Sequence, residues 1–147
     1  MCCEELMHLL NATDRPDCFS QSNVAKEHGK ELRVTTQQGL CRIKNDGCLN
    51  KSNVEQKCDF IFKACATHHI LLVELKGGDI HTAMQQIIAT YRKISPVLKG
   101  GHSFQGHIVS STVPRAAELR FRQLKEKCLR EHKLNISKQH FKCEITI

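Results

Sequence analysis

The 147-residue chain has no tryptophan and a single tyrosine. Stacking of exposed bases on aromatic rings is therefore not expected to be its main way of binding. No stretch approaches the ~20 apolar residues that a bilayer-spanning helix needs. The opening MCCEELMHLL lacks the basic start of a signal peptide, so the expected location is cytoplasmic, with no membrane partner. A Gly-rich phosphate loop is missing too: Gly77-Gly78 and Gly100-Gly101 do not fit the P-loop pattern. No C-x2-C pair occurs, and structural zinc usually needs one. No repeat, low-complexity tract or linker divides the chain, which reads as one domain over 1–147.

Cysteine, by contrast, is plentiful, with nine residues. The number is odd and the chain is long for a disulfide scaffold. Reduced, mostly buried thiols are the expectation. Positive charge is also in surplus, at a formal +7 with a pI near 9.0. Ten basic side chains against four acidic ones lie between Lys99 and Ile147. A basic surplus suits a polyanionic partner such as nucleic acid, although many basic proteins have none.

Glu4 to Leu10 suits a short helix, and Ser22 or Asn23 is placed to cap a helix from Val24 to Leu32. Leu40 to Ile43 reads as a strand, followed by the turn chemistry of Asn45-Asp46-Gly47. Lys51 to Gln56 reads as a loop. CDFIFK (Cys58–Lys63) and ILLVELK (Ile70–Lys76) are compact apolar runs with a short connection, as in an antiparallel pair. Asp79 is a good N-cap for a helix from Ile80 to Ile94, whose apolar residues recur at helical spacing. Phe104 to Ser111 contains another strand. A helix follows with Pro114 in its first turn and a stripe of Ala117, Phe121, Leu124 and Cys128. Phe141 to Ile147 alternates as a last strand. The order is helix, three strands, helix, strand, helix, strand. It predicts an α/β domain with a central mixed sheet flanked by helices.

Within the apolar strands, Asp59, Glu74 and Lys76 are out of place. Residues two apart on a strand share a face, so Glu74 and Lys76 project together. If the two strands pair, Asp59 joins them. Two carboxylates are hard oxygen ligands for Mg²⁺ or Mn²⁺, and a lysine can stabilise charge on a phosphate. A Glu and a Lys two apart also occur on ordinary solvated strands. Adjacent apolar strands, the glycine pair and the immediate helix favour the catalytic reading.

The spacing D-x14-E-x-K from Asp59 through Glu74 to Lys76 resembles the PD-(D/E)xK nucleases, which share an αβββαβ core. The matching order of elements spans about residues 23–111. The resemblance implies a restriction-endonuclease-like fold and a Mg²⁺- or Mn²⁺-dependent nuclease, with DNA preferred to RNA and an endonuclease preferred to an exonuclease. It implies that Asp59, Glu74 and the Leu75 carbonyl hold the metal and that Lys76 is the catalytic lysine. Cys58 stands where the family name has proline. Many members add an acid from the first helix, for which Glu27 and Glu31 are candidates, Glu31 lying nearer the strands. Some carry Gln and Tyr on the helix after the lysine. Gln85 and Gln86 are then candidates to touch substrate, while Tyr91 has the wrong spacing and reads as core.

Arg115 and Arg122 share one stripe of the last helix, and Arg120 and Lys127 another. With Lys125 they are candidate phosphate contacts, or else a solvated face interspersed with glutamates. A homodimer would bring two sites to the two strands of a duplex, but no motif demands it. The rival reading is a nucleic-acid-binding or regulatory module of the same fold without turnover.

Overall fold

The computed structural model describes residues 2–75, 79–98, 100–111 and 115–147. Its elements are α1 (Cys2–Leu9), a 3-10 turn (Pro16–Cys18), β1 (Phe19–Ser20), β2 (Val24–Glu27), β3 (Lys30–Thr35), β4 (Leu40–Lys44), β5 (Phe60–Ala64), β6 (His69–Leu75), α2 (Ile80–Ile94), β7 (Ser103–Ser110), α3 (Arg115–His132), β8 (Asn135–His140) and β9 (Lys142–Thr146).

The two apolar runs become the middle of a six-stranded sheet ordered β1-β4-β5-β6-β7-β8. β4, β5 and β6 are antiparallel neighbours. β7 and β8 add in parallel, because α2 and α3 each carry the chain back to the starting edge of the sheet. Strands buried on both faces read as continuous apolar runs, which is why every residue of Ile70–Leu75 is buried. The even-numbered residues Ile70 and Leu72 meet α2 and α3 in one core. The odd-numbered Leu71, Val73 and Leu75 meet Ala25, Leu32 and Val34 in a second core. These last residues belong to a three-stranded sheet, β2-β3-β9, which covers the other face. The architecture is α/β, with a mixed sheet and three helices.

Three expectations are corrected. The helix expected over Val24–Leu32 is a β2-β3 hairpin. His28 and Gly29 at its turn both have positive φ, 53° and 74°, and two left-handed residues in succession end any right-handed helix. Ala25, Leu32 and Val34 then alternate into the core. The core thus lacks a first helix at residues 24–32, and the preceding helix is α1. The polar strand β8, NISKQH, was not expected, because only Ile136 of it is fully buried. Third, the thiols are not all reduced. Cys2–Cys65, Cys3–Cys41 and Cys18–Cys48 stand as disulfides with Cα–Cα spans of 5.5, 5.2 and 5.7 Å, while Cys58, Cys128 and Cys143 are free. Together the three bridges fasten α1 and the 3-10 turn to the β4 side of the sheet.

Asp79 caps α2 as expected, its Oδ1 accepting the Thr82 N–H at 3.0 Å. Gly106 lets that helix approach β7: a Cβ there would lie 2.8 Å from Ile87 Cγ2. Pro114 lies outside the described residues. Among those described, no helix is long and apolar enough to cross a membrane.

Candidate active site

Asp59 immediately precedes β5, and Glu74 is the penultimate residue of β6. Phe60 pairs with Val73, and Asp59 lies one residue before that pair, outside the ladder. The Asp59 N–H donates to Val73 O at 3.0 Å and Asp59 Oδ2 accepts the Leu75 N–H at 2.8 Å, so Asp59 bulges against the end of β6 instead of continuing the register. The two carboxylates are 6% and 2% exposed, and both push the thiol of the buried Cys58 upward by their charge, after the larger effect of desolvation.

The peptide before Asp59 is held from two directions. Asn45 Nδ2 donates to Cys58 O at 2.9 Å, and the Cys58 N–H donates to Thr90 Oγ1 of α2 at 2.9 Å. Burial pushes the Asp59 carboxyl up to about 6 against the opposing bond from Leu75, and Glu27 raises it further through charge and a hydrogen bond. Glu27 therefore belongs to this cluster. The hairpin explains why. Glu27 pairs with Lys30 and shares the inner face with Ala25 and Leu32. Glu31 is on the outer face, beside Lys26 and Lys142 at 4.0 and 3.9 Å. The structure brings Glu27 to Asp59 where the expectation favoured Glu31. No helical reading of residues 24–32 would have distinguished the two; alternation in steps of two would have.

Leu75 is fully buried at the end of β6, and its backbone already meets Asp59. Lys76 lies outside the described residues. Gln85 is exposed and Gln86 half-buried. Gln86 Oε1 is buried with no hydrogen-bond partner among the described residues, one turn before Thr90 on the helix. Tyr91 packs edge-on against Phe104 at 5.3 Å, in keeping with a core role.

The site sits where parallel strands end and α2 and α3 begin, the edge at which open α/β sheets bind ligands. A groove of about 340 Å³ runs between the first turns of the two helices and is lined by Asp79, His81, Ala116 and Arg120. Arg115, Arg120, Arg122 and Lys127 are exposed and Lys125 half-buried. None makes an ion pair with a described residue, whereas Glu118 is engaged by Lys138 at 2.6 Å.

Carboxylate oxygens of this kind suit a hard divalent cation, and Mg²⁺ takes one or two such ligands alongside water and phosphate oxygens. Asp59 and Glu74 fit that requirement. Among the described residues, the group of three ligand atoms mutually within 4.8 Å is Asp17, Cys18 and Cys48. Its two sulfurs are joined in a disulfide, so it does not suit Mg²⁺ or Mn²⁺. Compared with family models, curated proteins and solved structures, the chain matches none of them.

Proposed function

We propose that the protein is a Mg²⁺- or Mn²⁺-dependent phosphodiesterase acting on nucleic acid, DNA in preference to RNA, as an endonuclease with a PD-(D/E)xK-like site. The observation that carries this reading is the pair of buried carboxylates, Asp59 and Glu74, at the same edge of the sheet on the adjacent strand ends of β5 and β6. Burial and the neighbouring Glu27 disfavour the charge on Asp59. A divalent cation held by Asp59 and Glu74 would offset that cost.

Asp59 is oriented before any ligand arrives, because its Oδ2 is tied to the Leu75 N–H and its peptide to Asn45 and Thr90. Glu74 provides the second oxygen donor, the Leu75 carbonyl a third, and Glu27 an acid at the rim with 27% of its side chain exposed. A bound cation would supply an activated water and neutralise charge on the phosphate. Lys76, two residues beyond Glu74, is assigned the role of stabilising the developing negative charge. Arg115, Arg120, Arg122, Lys125 and Lys127, with Gln85 and Gln86, are assigned to the flanking strand. The restriction-endonuclease-like core is part of this proposal. It is supported by the run β4-β5-β6-α2-β7, with α1 in place of the expected first helix.

A cytoplasmic location would require the three disulfides to be reduced in the cell, since such bonds persist chiefly in oxidising compartments. The bonds themselves favour an oxidising one.

Calorimetric titration with Mn²⁺ tests the site. Asp59→Ala and Glu74→Ala should each weaken binding by at least about tenfold, as expected for loss of a charged ligand, roughly 1.4 kcal/mol or more. Wild-type affinity in both folded variants would remove the basis of the proposal.

A further inference from the structure

A second cavity, of about 430 Å³, opens between the loop after β4 and the last turns of α2. Asn45 and Thr90 both line it, and both also hold the Cys58–Asp59 peptide. The cavity therefore adjoins the backbone that carries Asp59, although neither Asp59 nor Glu74 lines it.

Its walls have a definite chemistry. Leu49 on the loop, with Ile94 and Val97 at and just beyond the end of α2, supplies apolar lining. The rim is basic. Arg15 reaches over from the N-terminal segment and donates from Nη1 to Leu49 O. Its buried Nε makes no hydrogen bond but is ion-paired with Asp14 Oδ1 at 3.6 Å. Lys51 is exposed at the same rim, while Lys93 is already paired with Glu55 at 2.9 Å. A cavity lined by apolar Leu49, Ile94 and Val97, by the amides Asn45, Asn50 and Gln56 and by cationic Arg15 and Lys51 matches a planar heterocycle bearing an anion. The volume is in the range of small-molecule sites.

We propose that this cavity is a nucleotide subsite, with the base between Leu49 and Val97 and the phosphate toward Arg15 and Lys51. As a subsite for the substrate strand it rests on the nuclease reading, and it specifies where one unpaired base of that strand would lodge.

The test is calorimetry of the full-length protein with dAMP and with deoxyadenosine, in EDTA. Val97 is half exposed, so Val97→Trp fills the cavity from a tolerant position. It should weaken dAMP binding by at least about tenfold. Lys51→Ala, on the surface, should weaken dAMP by a few-fold while leaving deoxyadenosine unchanged, and Asp59→Asn should leave dAMP binding intact. Undetectable dAMP binding by the wild type, or wild-type binding in both Val97→Trp and Lys51→Ala, would overturn the subsite. Cleavage of DNA by the wild type is scored separately. Cleavage without dAMP binding sinks the subsite alone. Dependence of dAMP binding on Val97 and Lys51 in a protein that cuts nothing sinks the nuclease reading and leaves the nucleotide site standing.

Discussion

Asp59 and His107 place two ionisable groups in the interior with opposite consequences for stability. His107 is 1% exposed, its Nδ1 2.7 Å from Ser137 Oγ, and burial lowers it from 6.5 to about 4. Unfolded chains take up that proton first as pH falls from 6.5, so stability declines toward pH 4. The Asp59 carboxyl is raised from 3.8 to about 6. Here the folded protein keeps a proton that the unfolded chain gives up, and stability is lost as pH rises between those values. The two slopes oppose each other in the wild type, so the variant-minus-wild-type difference isolates Asp59. In the metal-free protein, Asp59→Asn should add about 2 kcal/mol at pH 7.5 and much less at pH 4. Urea unfolding in EDTA at the two pH values checks this. An equal difference at both would mean that Asp59 is not the strained group described. Asp59 and Glu74 were legible in the sequence because a charge inside an apolar run is an anomaly visible without coordinates. Glu27 was not, because its face depends on whether the chain repeats every two residues or every 3.6.

At the scale of elements, α2 was the most legible. Ile80, Ala83, Met84, Ile87 and Ile94 repeat on one face and are all buried, and both its ends carry stop signals. β5 and β6 were legible as well, being apolar throughout. The β2-β3 hairpin was not: its short inner face, Ala25, Leu32 and Val34, is spread across a His-Gly turn that resembles no common hairpin sequence. β8 and the disulfides were illegible for a different reason. Pairing to a neighbour's backbone leaves little trace in side chains, and sulfur–sulfur proximity is a property of the fold. Cys2–Cys65 closes a separation of 63 residues and Cys3–Cys41 one of 38. Loops of that size restrict the unfolded chain by about 4 kcal/mol each in the chain-entropy account. The purified protein, denatured without reductant, should titrate three thiols, from Cys58, Cys128 and Cys143, and nine after reduction. Nine thiols before reduction would restore the all-thiol reading and loosen the hold on α1.

For the molecule as a whole, the layers explain why the site lies where it does. α2 and α3 cover one face of the main sheet, and the β2-β3-β9 sheet covers the other. The parallel crossovers bring two helix starts to the same edge as Glu74, where backbone N–H groups favour anions. Basic side chains of α3 continue from that edge without ion-pair partners among the described residues. In the proposed reading, a phosphodiester brought there would meet oxygen ligands on the sheet and positive charge on the helices. The most direct measurement is single-turnover cleavage of DNA at saturating protein with Mn²⁺, alongside binding in Ca²⁺, for the wild type and Lys76→Ala. The wild type should cut. Lys76→Ala should bind DNA and metal nearly as well but cut at least about a hundredfold more slowly, because its charge is needed mainly in the transition state. Equal cleavage by the variant would put the catalytic centre elsewhere, and a wild type that binds DNA without cutting it would make this a binding module.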